Sequence, residues 1–235
     1  LRALAKTNDI TLYMSILSAF SVLLSKLSGQ EDIIVGTPIA GRRHPDLEGI
    51  VGMFVNTLVV RSQVEESDTL RGFLQKIKRT TLDAYEHQDY QFEDLVDKVT
   101  FSRDSSRNPL FDVAFNLLNQ MEHKSDISSL SDEAFTHSAG ISKFDLTLTA
   151  ADCGDQLLLS FEYSTRLFRT ETIERFIAYF KQIVAQVVKG QELSLSEVEL
   201  ISAAEKAQLL YGFNSTDADY PGDRSLKALL EELSA

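Results

Sequence analysis

Val51-Gly52-Met53-Phe54-Val55-Asn56-Thr57-Leu58-Val59-Val60-Arg61 is an apolar, β-branched run interrupted by one amide and one hydroxyl. Phe54 to Arg61 is expected to form a strand, because such residues fill a pleated, half-buried surface. Asparagine is disfavoured inside a strand, and a buried amide must find partners. Two readings of Asn56 stay open. Its amide either satisfies the backbone of a neighbouring loop or points into a cleft, where it orients a substrate carbonyl or amine.

Upstream, Ile33-Ile34-Val35-Gly36 reads as a short buried strand. Gly36-Thr37-Pro38-Ile39-Ala40-Gly41-Arg42-Arg43, with two glycines and a proline, reads as a constrained loop. Before these, Thr11 is placed to cap a helix reaching about Ser28, with Ile16, Phe20, Leu23 and Leu27 at helical spacing and Gly29 at its stop. Downstream, Asp68 or Thr69 opens a second helix whose stripe is Leu70, Phe73, Leu74, Ile77 and Tyr85. Phe92 to Val96 forms a short helix that Asp89 is placed to cap.

Three segments then alternate with period two: Phe111 to Leu117, Phe144 to Leu148 and Leu157 to Tyr163. Asp152-Cys153-Gly154-Asp155 between the last two signals a hairpin. The Ser-rich stretch from Met121 to Ser138 reads as a surface loop. A long helix from Thr170 to Lys189 follows, then a capping-box pattern at Ser202–Glu205 opening a helix to Gly212. A linker-like composition runs from Phe213 to Asp223, and a last element spans Leu226 to Leu233. The fold class is α/β (mixed α+β), with a central mixed sheet flanked by helices. Residues 1–200 form the main body and 201–235 a linker and the start of a further element.

At 235 residues, 43% apolar and 25% charged, the chain has the composition of a globular protein. A net charge of −12 argues against nucleic acid and anionic membrane surfaces, both of which need clustered Lys and Arg. No apolar run is long enough to span a bilayer. One cysteine, Cys153, forms no internal disulfide, which fits a reducing, cytoplasmic setting. Leu1-Arg2-Ala3-Leu4 begins inside a helix-like pattern without a leader, so a piece of a longer polypeptide is expected.

The residues that carry most chemistry are scattered. His44, His87, His123 and His137 show no metal-ligand spacing, so no metal site is expected. There is no Gly-x-Ser-x-Gly elbow, P-loop or dinucleotide glycine motif. His44-Pro45-Asp46-Leu47-Glu48-Gly49 only superficially matches His-x-x-x-Asp-Gly, with Glu where Asp is required, and reads better as a loop. Lys76, Lys78 and Arg79 lie off their helix's apolar stripe, either as a solvated face or as a docking surface for an acidic partner. Two more stretches stand out. His87-Gln88-Asp89-Tyr90-Gln91-Phe92-Glu93 reads as a packed turn. In Arg103-Asp104-Ser105-Ser106-Arg107-Asn108-Pro109-Leu110-Phe111, guanidinium and carboxylate groups make a loop clamp before a strand.

Taken in order and spacing, Val51–Arg61, His87–Glu93 and Arg103–Phe111 resemble the last three core motifs of nonribosomal peptide synthetase condensation domains, with Gln91 in place of the usual proline. Thr37 to Arg42 is similar to the loop that in this family runs beneath the active-site tunnel. The tail, Phe213 to Glu232, is similar to the linker leading into an adenylation domain. The strand motif Phe54–Thr57 favours condensation over epimerisation domains.

The resemblance implies one chloramphenicol-acetyltransferase-like lobe of a two-lobed domain, the C-terminal one. The family's catalytic His-His-x-x-x-Asp-Gly motif is absent from these residues, so no catalytic residue is assigned and the chain is expected to be inactive alone. The implied reaction joins aminoacyl or peptidyl groups held as thioesters on the phosphopantetheine arms of peptidyl carrier proteins. The implied partners are those carriers, the N-terminal lobe and a downstream adenylation domain, with no cofactor bound by the chain itself. Pro38, Ile39, Gly41, Arg42, Asn56 and Thr57 are then expected along the substrate tunnel. Arg61, Gln88, Asp89, Arg103, Asp104, Arg107 and Asn108 are expected as a structural clamp. A non-catalytic module docking a carrier protein or adenylation domain is the alternative, and a free-standing acyl-coenzyme A acyltransferase a weaker one. A half-pair of lobes is also expected to expose an apolar face and so to dimerise or dissolve poorly.

Overall fold

The structure, a computed structural model, describes residues 1–99, 107–119, 140–154, 156–190, 192–217 and 225–233. The chain divides into two units, Leu1–Leu200 and Ile201–Ala235. The first is built on a five-stranded sheet of β1 (Asp32–Ile39), β2 (Asn56–Gln63), β3 (Val113–Asn119), β4 (Leu146–Asp152) and β5 (Leu157–Tyr163), in the order β2-β1-β3-β4-β5. The inner pairs β1–β3 and β3–β4 are parallel and the outer pairs β1–β2 and β4–β5 antiparallel, so the sheet is mixed.

Helices α1 (Arg2–Thr7), α2 (Leu12–Ser28), α3 (Leu70–Glu86), α4 (Phe92–Val99) and α5 (Thr170–Lys189) accompany it. Local chemistry sets their ends. Thr11 Oγ1 accepts the Met14 N–H at 3.2 Å, and Gly29 stops α2 in the left-handed region at φ 70°. Thr69 Oγ1 accepts the Gly72 N–H at 3.1 Å to open α3. Every residue of α2 from Tyr13 to Leu23 is buried, which makes it the central helix. Phe115 of β3 stacks on Tyr13 at 4.9 Å, while Phe161 of β5 meets Phe20 and Phe180 edge-on at 6.2 and 5.9 Å.

The structure departs from the sequence reading in two places that bear on the site. β1 does not stop at Gly36; it stays paired with β2 through Pro38↔Thr57 and Ile39↔Asn56, so the loop begins at Ala40. Proline is tolerated there because β1 meets β3 at Gly36↔Ala114 alone, and past that point it is an edge strand on that side. Second, β2 starts at Asn56 rather than Phe54, so the amide stands at the mouth of the strand. The segment 121–138 and residue Asp155 of the hairpin lie outside the described residues. The turn between β4 and β5 is tight, with the Cys153 N–H on the Gln156 carbonyl at 2.9 Å and Gly154 at φ 81°.

The second unit has α6 (Ala203–Ala207), opened by Ser202 Oγ accepting the Glu205 N–H at 3.1 Å. It passes into one π-helical turn, Gln208–Gly212, where a single α-helix was expected. The Asn214 side chain donates to the Leu210 carbonyl at 2.8 Å just beyond it. α7 spans Leu226–Leu233. None of the described apolar side chains in this unit is buried, and Leu210, Tyr211, Phe213, Leu226 and Leu233 are exposed.

Candidate functional site

Asn56, at the start of β2, joins two of the stretches singled out in the sequence. Asn56 is 6% exposed, and its amide is fully engaged. Nδ2 donates to the carbonyls of Gln88 and Tyr90, both at 2.9 Å. Oδ1 accepts the N–H of Thr57 at 2.8 Å and of Phe92 at 3.2 Å. Of the two readings left open, the structure adopts the first: the side chain staples the 88–92 turn to the strand and presents no free amide to a cleft. Phe92, fixed this way at the start of α4, lies 5.6 Å from the Phe111 ring, and Phe111 lies 5.2 Å from Phe144. This aromatic run ties the second stretch to the third. Phe111 also covers Gly36, where a Cβ would stand 2.1 Å from its ring.

The loop after β1 is held from within. Arg42 donates to the carbonyls of Leu47, Ile50 (2.9 Å) and Gly52 (3.4 Å), and its guanidinium lies 4.3 Å from the Phe54 ring centroid. Gly41 is left-handed at φ 65°, and a Cβ there would sit 1.9 Å from the Phe54 carbonyl oxygen, so no other residue fits that crossing. Arg42 and Gly41 therefore shape the 41–54 loop. Ile39 is buried, Pro38 exposed and Thr57 half-buried. Along the loop Ile50, Val51, Met53 and Val55 are all exposed, Val51 completely.

Among the expected clamp residues, Arg61 forms a bidentate pair with Asp32 across β1 and β2 at 2.9 and 2.8 Å, which holds the Asp32 carboxyl below its usual range. Gln88 donates to the Tyr85 carbonyl at 2.8 Å while its own carbonyl receives Asn56. Asp89 pairs with Arg43, across 46 residues, rather than capping α4. That partner was not singled out in the sequence, where only the long-range position of Asp89 could have revealed it. Arg107 pairs with Asp112. Asn108 is half-buried, and Arg103 and Asp104 lie outside the described residues. Burial, reinforced by the Asp112 charge and opposed by Arg107, pushes the Asp145 carboxyl above its ordinary value.

The basic face of α3 is largely neutralised by its own chain. Lys76 pairs with Asp68 at 2.7 Å and Glu65 at 3.2 Å, and Lys78 with Asp9 at 2.7 Å. Among the described residues no group of three or more His, Cys, Asp or Glu is arranged to hold a metal ion, and no helix is long and apolar enough to cross a membrane. A cavity of about 280 Å³ between the end of α2 and Val64, lined by Lys26, Glu31 and Leu195, lies away from these stretches.

A five-stranded mixed sheet sharing one core with α2, α3 and α5, its motif stretches linked through Asn56, Phe92 and Phe111, matches the fold of condensation domains. The crystal structure of a four-domain nonribosomal peptide synthetase bound to AMP and glycine superposes with a TM-score of 0.87 over 98% of this chain and 19% of its own, at 24% identity. The first condensation domain of the CDA synthetase superposes with a TM-score of 0.66 over 85% of this chain and 44% of its own, at 16% identity. The family model for the condensation domain matches residues 1–210, and the chain belongs to that family. Tyrocidine synthase 3 of Brevibacillus parabrevis is 46% identical over 99% of this chain, and surfactin synthase subunit 1 of Bacillus subtilis (strain 168) 42% identical over all of it. The chain spans only 4% and 7% of the length of those two relatives.

Proposed function

We propose that residues 1–200 are the C-terminal lobe of a nonribosomal peptide synthetase condensation domain and that residues 201–235 lead into an adenylation domain. In the whole synthetase the amine of one carrier-bound aminoacyl thioester attacks the thioester carbonyl of a second. A C–N bond forms, the C–S bond breaks, and the amine proton ends on the departing pantetheine thiol. Much of the rate then comes from holding two tethered reactants together. This lobe supplies one wall of the tunnel in which they meet. Pro38 and Thr57 lie at that wall, with Ile39 packed behind it, while Gly41, Arg42 and Asn56 act by fixing the loops around it. The imidazole of the family's His-His-x-x-x-Asp-Gly motif, which would handle the amine or the tetrahedral intermediate, is not among these 235 residues, so the chain alone does not condense.

The observation that carries this reading is the Asn56 staple and the Phe92–Phe111–Phe144 run, which link the three motif stretches in one chain of contacts. Coverage supports the single lobe: 85% of this chain against 44% of a condensation domain. The exposed Val51 and Met53 suit a contact with the N-terminal lobe, and the exposed apolar residues of 201–235 suit an adenylation partner. Partner carriers bring the pantetheine arms. The single cysteine, Cys153, can form no disulfide within the chain, which suits a cytoplasmic setting.

The test is to place residues 1–200 in a working condensation domain in exchange for its C-terminal lobe, and to assay dipeptide formation from two loaded carriers beside the chain by itself. The chimera is expected to form dipeptide and the chain none. Dipeptide from the chain by itself would overturn the reading.

A further inference from the structure

Tyr13, in the first turn of α2, is a titratable group inside the core, and its ring stacks on Phe115 at 4.9 Å, which fixes where the phenol points. Its Oη is wholly buried and, among the described residues, makes no hydrogen bond. Burial pushes this phenol well above its ordinary value, while Thr37 of β1 draws it back and Tyr85 of α3 pushes it further. Thr37, itself buried, therefore stands near that oxygen without a bond of normal geometry to it. Thr81 lies one turn before Tyr85 on the same face of α3, which packs against α2. It is fully buried, and its Oγ1 also has no partner among the described residues. A hydroxyl inside a helix can return to the carbonyl four residues back, as Ser15 and Ser18 do on α2 at 3.1 and 2.8 Å. Thr81 does not.

Buried polar atoms are normally paired, and here two wholly buried hydroxyls on packed helices are not. Thr37 and Tyr85 add two more hydroxyls beside them. All four groups are neutral, and each can both donate and accept. An ion would find no counter-charge among them, and an apolar molecule would leave them unpaired. Water is the ligand such a set completes, since inside proteins it typically takes about three polar partners on otherwise unsatisfied groups.

We propose that Tyr13, Thr37 and Thr81, with the half-buried Tyr85 at the rim, enclose one structural water that joins α2, β1 and α3. Thr37 immediately precedes Pro38 in β1, so this water holds the end of that strand to both helices. The site stands on the core itself and does not depend on the condensation reading.

The sign of a hydroxyl deletion decides the matter. Removing an orphan from a core relieves a desolvated group and raises stability, whereas removing a partner of a held water breaks a bond and leaves the other hydroxyls short. In thermal melts of the full chain, Tyr13→Phe and Thr81→Val are each expected to lower Tm by about 3 °C. Combined, they should lower it by clearly less than the sum, because the first deletion has already loosened the water. A crystal structure of the parent chain should show one density peak within hydrogen-bonding distance of Tyr13 Oη and Thr81 Oγ1, a readout that stands even if a variant folds poorly. A Tm that rises with either deletion overturns the site. So do strictly additive losses, or a parent crystal structure in which the two hydroxyls bond protein atoms alone. None of these outcomes alters the condensation reading, which the dipeptide assay tests separately.

Discussion

Asn56→Ala isolates the contact on which the site geometry depends. The substitution removes four hydrogen bonds, of which three hold the 88–92 turn: Nδ2 to the Gln88 and Tyr90 carbonyls and the Phe92 N–H to Oδ1. At about 0.5–1.5 kcal/mol net for each bond, the turn loses ~2–4 kcal/mol of attachment. Gln88 is half-buried and Asp89 and Tyr90 are exposed, so water can reach the freed carbonyls once the turn lifts, and the lower half of that range is expected. For a body of this size, ~2–3 kcal/mol lowers Tm by about 5–10 °C. Asn56→Asp refines the test. A carboxylate keeps both acceptors but turns oxygens toward two carbonyl oxygens, so it should be at least as damaging as alanine although it is nearly isosteric. Thermal melts by circular dichroism give the stability, and the rate of chymotryptic cleavage after Tyr90 reports release of the turn. A melt within about 1 °C of the parent with Tyr90 still protected, or an aspartate variant behaving like the parent, would refute the staple.

Gly36→Ala should cost about 1–3 kcal/mol by overpacking, because the Phe111 ring 2.1 Å from the new Cβ is itself held between Phe92 and Phe144; adding Phe111→Leu should recover part of the lost Tm. Arg42→Lys keeps the charge but not the fork that bonds the Leu47, Ile50 and Gly52 carbonyls or the face laid on Phe54. Faster proteolysis within 43–54 and lower dipeptide yield from the chimera are expected, and equal cleavage rates would count against the loop's internal brace. Asp145→Asn tests the raised carboxyl. Because the folded state favours its protonated form, stability falls as pH rises from the ordinary carboxylate range through the raised folded value. Asparagine should therefore raise Tm at pH 7 and lose that advantage near pH 3, and a variant less stable at pH 7 would contradict the burial of that carboxyl.

How much of this was legible in the sequence depends on the range of the cause. Thr11, Gly29 and Thr69 act within a few residues of themselves, so the ends of α2 and α3 could be read from residue type and spacing. The same holds for β5, where Leu157, Leu159, Phe161 and Tyr163 recur at every second position, and for the hairpin before it. Pro38 misled, because a proline is read as breaking a strand unless the strand order is known. Only the single Gly36↔Ala114 pair shows that β1 is an edge at that point. Glycine at 36 and at 41 advertised some constraint. What imposes it is Phe111, 75 residues on in one case, and the Phe54 carbonyl in the other.

Asn56 shows why a motif can be recognised before its role is understood. Its residue type announces that a buried amide needs four partners. Three of those partners are backbone groups 32 to 36 residues away, and a backbone group leaves no mark in a sequence. The bonds ask nothing of the side chains at positions 88 and 90, so they leave Gln88 and Tyr90 free to be chosen for other reasons. Asn56 itself has no such freedom, since only a carboxamide offers two donors and an acceptor in that plane. A motif of this kind therefore reads as one fixed residue beside a stretch whose path matters more than its letters.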